Sequence, residues 1–328
     1  MKILVCGGAG FIGSTFIKNY LKNNLNDTIT NLDNLTIGSN LQNLKLIENN
    51  PNYSFIKNDI KNEKTILDIS KDKDLIINFA AESHVDRSIA NPKPFIETNI
   101  LGTYSLLEAV RKYDKSFIHI STDEVYGDAE KNESFMEKSN LNPSNPYSAT
   151  KASSDLLVSA YERTYGINSI TTRCTNNFGP HQFPEKLVPK TIIRLIKNLK
   201  VPLYGDGSQI RDYIFIDDVV ELYLTMSEKL AQNPDKFRGH VYNAGTNAPK
   251  SVHEVLKTVY NLTGKQGDFH KIEELMKTKK TVGEIDCQYM DFEKVNEHFN
   301  WAPSHSFESG VRKTIKWYNA YLSKKYAS

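Results

Sequence analysis

A glycine-rich turn near the N-terminus constrains the fold of this chain more than any other segment. Residues 2–6 are apolar and rich in β-formers, and glycines stand at positions 7, 10 and 13 directly after them. The apolar positions of residues 16–21 then recur with helical spacing. A glycine turn between a strand and a helix lets a pyrophosphate approach the backbone and the free N–H groups of the helix N-terminus. The pattern predicts a dinucleotide site at Gly7, Gly10, Phe11, Ile12 and Gly13.

An acidic residue stands about twenty positions after the last of these glycines. Asp33 follows residues 28–32, which have the composition of a second strand. A carboxylate at this place accepts hydrogen bonds from an adenosine ribose and repels a 2′-phosphate, which favours NAD over NADP. The alternative is that Asp33 caps a helix.

Segments with strand and helix patterns alternate along the first half of the chain. Residues 53–56 and 75–79 have the pattern of strands, and residues 95–113 have that of a long helix. This alternation predicts an α/β fold, a Rossmann-type doubly wound parallel sheet covered by helices on both faces. Ligands bind at the carboxyl ends of such strands. The residues at those ends are Asp59, Ile60, Ala80 and Ala81.

The composition changes after residue 175. Residues 176–187 form a stretch rich in amides and prolines, and loops at the carboxyl edge of a sheet commonly hold substrate. Shorter elements follow, among them a predicted strand over residues 201–204. We expect residues 1–175 to form an NAD-binding Rossmann domain, to which later segments return, and residues 176–328 to form mainly a smaller substrate-binding lobe.

Three polar residues follow a further predicted strand. The apolar run of residues 117–120 predicts a buried strand, whose carboxyl end delivers Thr122, Asp123 and Glu124. Two adjacent acidic residues are more often a solvated turn. Their position at the ligand-binding edge of the sheet makes them candidates for acid–base chemistry.

A helix predicted to begin near Pro146 carries two further candidates. Asn145 can cap this helix, and Tyr147 and Lys151 then lie four residues apart on one face. A neighbouring ammonium favours the phenolate form of tyrosine, so Tyr147 is a candidate base. The same spacing occurs by chance in many helices. The order of the motifs, downstream of a nucleotide signature, favours the functional interpretation.

The charge balance and the cysteines limit the other possibilities. The 328 residues include 41 basic and 39 acidic side chains, a net charge of +2 that gives no reason to expect a nucleic-acid surface. No segment has transmembrane character and the N-terminus lacks the layout of a signal peptide, so we expect a soluble cytoplasmic protein. Cys6, Cys174 and Cys287 have neither metal nor redox spacing, and we expect no metal site.

Taken together, these motifs resemble the extended short-chain dehydrogenase/reductase family, and within it the dTDP-glucose 4,6-dehydratases. The resemblance spans nearly the whole chain, and its specific parts are residues 7–13, 78–88, 121–127, 147–151, 176–187, 205–207 and 211–212. The strongest discriminator is Thr122-Asp123-Glu124. Sugar epimerases of the same family usually have no carboxylates there, because they need no acid to expel water.

The resemblance implies an NAD-dependent conversion of a nucleotide-activated glucose into its 4-keto-6-deoxy sugar. Tyr147 would take the proton of the 4-hydroxyl, while Lys151 lowers the proton affinity of the tyrosine and Thr122 bonds the C4 oxygen. Glu124 would act as the base at C5 and Asp123 as the acid that protonates the departing C6 hydroxyl.

The resemblance also implies the binding residues, position by position. Those expected at the cofactor are Gly7, Gly10, Phe11, Ile12, Gly13, Asp33, Asp59, Ile60, Ala80, Ala81, Asn99, Tyr147, Lys151 and Asn177. Those expected at the nucleotide-diphosphate sugar are Ser83, Thr122, Asn176, Lys186, Leu187, Tyr204, Arg211 and Asn247. Arg211 would meet the diphosphate; the alternative is a salt bridge to Asp206 or Asp212. A homodimer through the Tyr147 helix and the preceding long helix is implied as well.

One segment departs from the family pattern. Members typically carry Arg-Pro-Gly-His-Asp-Arg-Arg-Tyr near the C-terminus. The corresponding residues 281–289 of this chain are all neutral or acidic. The loss of cations beside a diphosphate leaves UDP-glucose open as an alternative to dTDP-glucose. A nucleotide-sugar 4-epimerase and a non-catalytic NAD-binding protein also remain open, because a shared fold does not fix function.

Overall fold

The computed structural model describes residues 1–129, 133–203, 205–277 and 285–327, with side chains as far as Ser323. Its strands are β1 (Lys2–Cys6), β2 (Thr28–Asp33), β3 (Tyr53–Lys57), β4 (Leu75–Asn78), β5 (Ser116–Thr122), β6 (Asn168–Cys174), β7 (Asn176–Phe178), β8 (Ile210–Arg211), β9 (Tyr213–Phe215), β10 (His240–Ala244), β11 (Lys250–Ser251) and β12 (Cys287–Gln288). Its α-helices are α1 (Phe11–Asn23), α2 (Glu63–Ser70), α3 (Val85–Ala90), α4 (Lys93–Phe95), α5 (Thr103–Tyr113), α6 (Pro146–Tyr165), α7 (Leu187–Ile196), α8 (Ile216–Gln232), α9 (Pro234–Phe237), α10 (Val252–Leu262), α11 (Phe269–Met276), α12 (Glu293–Phe299) and α13 (Phe307–Ala327).

Seven of the strands form one sheet in the order β10-β6-β5-β4-β1-β2-β3. Every neighbouring pair is parallel, so all seven carboxyl ends lie at one edge. The chain order runs in opposite directions on the two sides of β1, and such a switch point opens a crevice for a ligand. The predicted Rossmann-type, doubly wound sheet is confirmed.

The sheet is buried on both faces, as the continuous apolar strands predict. Successive residues of β1 point to opposite sides, so Ile3 packs in one hydrophobic cluster and Leu4 in another. The first cluster includes Phe16 of α1, and the second includes Leu106 and Val110 of α5. Both layers hold the glycine turn and the strand ends in fixed positions.

The later part of the chain contributes to this sheet and to two smaller ones. Strand β10 pairs in parallel with β6 and so extends the main sheet at its edge. Strand β8 lies between β11 and β12, and β7 pairs with β9. A boundary between two domains near residue 175 stays a prediction, with β10 as the segment that returns to the first of them.

Two of the expected elements differ in the structure. Residues 201–203 form no strand, and Val201 is buried as an irregular segment; Tyr204 lies outside the described residues. The long helix expected over residues 95–113 is interrupted by a π-helical segment at Ile96–Gly102. A Cβ on Gly102 would lie only 2.4 Å from the side chain of Ile60, so this segment packs closely against Ile60, which follows β3. Such π segments are frequent at functional sites.

No helix within the described ranges is both long enough and apolar enough to cross a membrane. Over those same residues, no group of three or more His, Cys, Asp or Glu side chains could hold a metal ion. Cys6 and Cys174 are free and buried, and burial raises the pKa of the Cys174 thiol to about 12.

Candidate active site

A cavity of about 350 Å³ opens at the carboxyl edge of the main sheet. It brings together most of the residues singled out in the sequence. Those that line it are Gly7, Gly10, Phe11, Ile12, Gly13, Asp33, Asp59, Ile60, Ala80, Ala81, Ser83, Thr122, Asp123, Glu124, Tyr147, Lys151, Asn176, Asn177, Lys186 and Leu187.

The glycine turn closes one end of the cavity, between β1 and α1. Gly7 has a φ of +76°, and a Cβ there would lie 2.6 Å from the backbone nitrogen of Ala80. A Cβ on Gly13 would lie 2.5 Å from the carbonyl oxygen of Gly7. Neither position tolerates a side chain, so bare backbone faces the N-terminus of α1. This geometry fits a pyrophosphate group.

Asp33 stands at the end of β2 beside this turn. Its carboxylate accepts hydrogen bonds from the backbone N–H groups of Ala9, at 2.9 Å, and Leu35, at 2.8 Å. The next helical turn downstream is capped by Asn40 instead, so the alternative that Asp33 caps a helix is wrong. The carboxylate is fixed at the cavity wall, where it can accept bonds from a ribose.

Asn99 does not line the cavity, contrary to its assignment as a cofactor contact. Its side-chain oxygen accepts from the backbone N–H of Glu82, and its Nδ2 donates to the Glu82 carbonyl and to Thr150 Oγ1. The amide is therefore saturated by protein groups. It ties the segment after β4 to α6, which carries Tyr147.

Helix α6 presents Tyr147 and Lys151 to the cavity. Asn145 and Ser148 form a reciprocal capping box at its start, and Pro146 occupies the first helical position. Lys151 Nζ donates a 2.7 Å hydrogen bond to the carbonyl of Ile120 in β5, which fixes the ammonium beneath the strand ends. Burial lowers the pKa of Lys151 to about 8.

The protonation of Tyr147 differs from the expectation that Lys151 makes it easier to ionise. Burial, followed by the negative charge of Glu124, raises the pKa of the Tyr147 phenol above its usual range. A hydrogen bond with Thr122 acts in the opposite direction. The sequence shows the spacing of the two residues but not the depth at which they are buried.

Asp123 and Glu124 occupy different environments at the end of β5. Asp123 is 2 % exposed, and burial together with the charge of Glu124 raises its pKa to about 7. Thr122 Oγ1 donates to Asp123 Oδ1 at 3.1 Å. Glu124 is only partly buried, and its Oε2 accepts a 3.3 Å hydrogen bond from Asn145 Nδ2. One carboxyl is thus poised to hold a proton at neutral pH.

The opposite wall of the cavity comes from the loop after β7. Lys186 Nζ donates to the carbonyl of Ser83 at 3.1 Å, which joins this loop to the segment after β4. Asn176 of β7 and Leu187 at the start of α7 also line the cavity.

Two of the expected substrate contacts lie off the cavity wall, and the position of a third is not described. Tyr204 lies outside the described residues, and Asn247 is exposed in a turn beyond β10. Arg211 is not among the residues that line the cavity, and its Nη1 donates to the carbonyl of Ile210. Its charge nevertheless lowers the pKa of Asp123. Asp212 accepts from Tyr213 and Thr246 rather than from Arg211, so the alternative of a salt bridge to Asp212 is wrong.

Comparison with known proteins adds an independent observation. A family model described as GDP-mannose 4,6 dehydratase matches residues 4–314. The chain belongs to this 4,6-dehydratase family.

Members of the 4,6-dehydratase family match over almost the full length. The dTDP-glucose 4,6-dehydratase of Shigella flexneri is 42% identical, with 98% of this chain and 93% of that protein covered. The crystal structure of dTDP-glucose 4,6-dehydratase from Bacillus anthracis, in complex with NAD, has a TM-score of 0.86 at 38% identity and covers 98% of this chain and 97% of that one. The Streptomyces venezuelae dTDP-glucose 4,6-dehydratase structure with NAD bound has a TM-score of 0.89 at 34% identity, covering 99% and 98%. The resemblance found in the motifs is confirmed.

The segment that departs from the 4,6-dehydratase pattern is partly described. Residues 278–284 lie outside the described residues, and these include two cations, Lys279 and Lys280, that precede the departing segment in the sequence. Cys287 and Gln288 form β12 and pair with Ile210 and Arg211 of β8. The departure therefore lies beside Arg211, the cation assigned to the diphosphate.

Two residues that bond the acidic pair were not predicted from the sequence in this role. Asn145, predicted only as a helix cap, also contacts Glu124. Thr175 donates from Oγ1 to Asp123 Oδ2 at 3.0 Å. Its position directly after strand β6 was the available signal, but the register that brings it to Asp123 cannot be read from the sequence.

Proposed function

We propose that this protein is an NAD-dependent hydro-lyase that dehydrates a nucleotide-activated glucose, dTDP-glucose, to its 4-keto-6-deoxy sugar, a step of deoxysugar biosynthesis. The observation that carries this proposal is that Asp123 and Glu124 line the same cavity as Tyr147 and Lys151. Oxidation at C4 requires the tyrosine and the lysine, and loss of water requires an acid and a base. The 4,6-dehydratase relatives support the same reaction.

The glycine turn and α6 would hold NAD between them, and NAD would supply the acceptor for a hydride from C4 and its return to C6. The bare backbone at Gly7 and Gly13 would receive the pyrophosphate, and Asp33 would accept hydrogen bonds from the adenosine ribose. Tyr147 takes the proton of the 4-hydroxyl. Lys151 supplies a fixed positive charge near the phenolate form of Tyr147 that accepts this proton, and the Thr122 hydroxyl bonds the C4 oxygen.

The acidic pair performs the elimination. The C4 ketone acidifies the hydrogen at C5, and Glu124 removes it as a proton. Asp123, whose pKa of about 7 leaves a substantial protonated fraction at neutral pH, gives its proton to the C6 hydroxyl, and the C6–O bond breaks with release of water. Glu124 then returns its proton to C5. The product differs from the substrate by one water.

Substitution of Gly13 tests the cofactor site. A Gly13→Ala variant is expected to bind NAD roughly tenfold more weakly or worse, because the new Cβ would lie 2.5 Å from the Gly7 carbonyl and displace the turn. Calorimetric titration of cofactor-stripped protein with NAD measures the dissociation constant. Gly267→Ala is the control, since a Cβ there would meet no atom within 4 Å. Equal affinity in the two variants contradicts the assignment.

The substrate test uses two nucleotide sugars in turn. Purified protein is incubated with dTDP-glucose and with UDP-glucose, and the product is followed by mass spectrometry. We expect the mass of dTDP-glucose to fall by one water. Faster loss of water from UDP-glucose would instead identify UDP-glucose as the preferred substrate. That result would agree with the lack of arginines in residues 281–289. Isomerisation without loss of mass indicates a 4-epimerase, and no change in either sugar indicates a non-catalytic NAD-binding protein.

We also propose that the protein is a homodimer through α5 and α6. Apolar side chains stay exposed on these packed helices and on the π segment before α5: Leu101 is 51% exposed and Leu156 61%. Tyr104 and Tyr165 add to this surface. Large apolar side chains exposed on neighbouring helices favour an interface there. A cytoplasmic location stays a prediction from the sequence.

A Leu156→Glu variant is expected to be mainly monomeric at micromolar concentration, because dimerisation would bury the new carboxylate. Light scattering after size-exclusion chromatography measures the mass. Leu46→Glu makes the same change at a residue that is 91% exposed in the 3₁₀ turn Leu41–Ile47, and should leave the dimer intact. A monomeric wild-type protein would overturn this proposal.

A further inference from the structure

Thr175 lies beside Asp123 because of the register between two neighbouring strands. Strands β5 and β6 are parallel, and Thr122 is paired with Cys174 at their carboxyl ends. The next residue of each strand, Asp123 and Thr175, therefore leaves the sheet at the same point. The backbone N–H of Thr175 donates to the carbonyl of Ala244 in β10, which fixes the threonine to the sheet edge. Thr175 is itself 2 % exposed.

The Thr175 hydroxyl has two acceptors within reach but a single proton. Its Oγ1 lies 3.0 Å from Asp123 Oδ2 and 3.0 Å from the carbonyl oxygen of Asp212. That carbonyl also receives a 3.3 Å hydrogen bond from Asn176 Nδ2. An ionised carboxylate is a stronger acceptor than a carbonyl that Asn176 also serves, so the Thr175 proton goes to Asp123 once this group is ionised.

We propose that Thr175 is a positioning residue for the acid step: it donates to Asp123 Oδ2 and stabilises the carboxylate that is left behind when Asp123 gives up its proton. This inference rests on the proposed function, in which Asp123 protonates the leaving hydroxyl. The O–H bond of the Asp123 carboxyl breaks and a bond forms between that proton and the C6 oxygen. The C6–O electron pair leaves with water, and Asp123 becomes a carboxylate. The other carboxyl oxygen, Oδ1, accepts from Thr122, the residue assigned to the C4 oxygen of the sugar.

The charges around Asp123 set the direction of the expected change. Burial and the charge of Glu124 raise the pKa of Asp123, and the bond from Thr175, the bond from Thr122 and the charge of Arg211 lower it. The phenol of Tyr147 and the thiol of Cys174 also lie near this carboxyl, and burial, more than the charge of Asp123, raises the pKa of both groups. Neither carries a charge that would replace the Thr175 bond. Removal of the hydroxyl alone therefore raises the pKa of Asp123 further.

A Thr175→Val variant is the direct test, since valine keeps the shape and removes the hydroxyl. The elimination requires protonated Asp123, so the rate of product formation falls as the pH rises through the pKa of this group. In Thr175→Val we expect this alkaline limb to move up by about one to two pH units, the shift produced by loss of a hydrogen bond to a charged group. We expect kcat on the plateau to fall roughly tenfold, because a weaker acid transfers its proton more slowly. Thr175→Ser should keep the wild-type limb.

A second readout does not depend on activity. Infrared difference titration follows the C=O band of the protonated Asp123 carboxyl, identified by its absence in Asp123→Asn. The midpoint should rise in Thr175→Val and in Thr175→Ala, and stay near the wild-type value in Thr175→Ser. If the Thr175→Val protein fails to fold, Thr175→Ala and Thr175→Ser give the same comparison.

The outcomes separate this inference from the proposed function. Lower activity in Thr175→Val with an unmoved alkaline limb and an unmoved infrared midpoint would overturn the role of Thr175, while dehydration by the wild type still stands. A wild-type protein that removes no water from either nucleotide sugar would overturn the proposed function. The infrared midpoints would still decide whether Thr175 stabilises the Asp123 carboxylate.

Discussion

A Glu124→Gln variant is expected to oxidise C4 of the sugar but to form the 4-keto-6-deoxy product roughly 10²–10⁴-fold more slowly than the wild type. Glutamine cannot take the proton from C5, yet its side-chain oxygen can still accept the hydrogen bond from Asn145 Nδ2. The shape of the site is therefore preserved while the base is lost. Mass spectrometry follows the loss of water, and near-ultraviolet absorbance follows reduction of the nicotinamide, so oxidation and elimination are measured separately.

The substitution also changes the neighbouring acid. Because the charge of Glu124 contributes to the raised pKa of Asp123, its removal lowers that pKa and leaves Asp123 less protonated at neutral pH. The measurement is therefore repeated at lower pH, where Asp123 is protonated in both proteins. Glu221→Gln on α8, an exposed residue away from the cavity, is the matched control. Water loss at the normal rate in Glu124→Gln would remove Glu124 from the mechanism.

Local sequence was enough to predict the parts of the site that depend on one strand end or one helix. The glycine turn, the Asp33 carboxylate and the Tyr147 helix each follow from a pattern within a few residues. The rule that parallel strands end at one edge then brings these parts together without knowledge of the register. That is why most of the expected residues line one cavity.

The sequence could not predict contacts that depend on the register between strands or on hydrogen bonds between distant residues. Thr175 reaches Asp123 only because Thr122 is opposite Cys174, and a shift of one residue would turn the threonine to the other face of the sheet. Asn99 has the right residue type for a cofactor contact, but Glu82 and Thr150 use its amide. Hydrogen bonds between residues far apart in the chain leave no local pattern.

Burial was the other missing quantity. The spacing of Tyr147 and Lys151 suggests an easily ionised phenol, yet both side chains are almost completely buried, and burial raises the pKa of the tyrosine and lowers that of the lysine. The same burial gives Asp123 a pKa of about 7, which suits a general acid at neutral pH. The burial of Asp123 therefore distinguishes it from Glu124 as the proton donor, which the Asp-Glu sequence alone does not.

A Tyr147→Phe variant is expected to lose oxidation itself, with product formation down by roughly 10²–10⁴-fold and no rise in the absorbance of reduced nicotinamide. Phenylalanine keeps the ring that packs edge-on against Phe95 at 6.4 Å, so the loss reports on the hydroxyl rather than on the helix. Tyr161→Phe is the matched control on the same helix, where the hydroxyl donates to Glu108 Oε1 at 2.6 Å, and it should keep normal activity. The contrast with Glu124→Gln is the decisive comparison, because one variant should stop before C4 oxidation and the other after it. Reduction of the nicotinamide at the wild-type rate in Tyr147→Phe would show that another group takes the 4-hydroxyl proton.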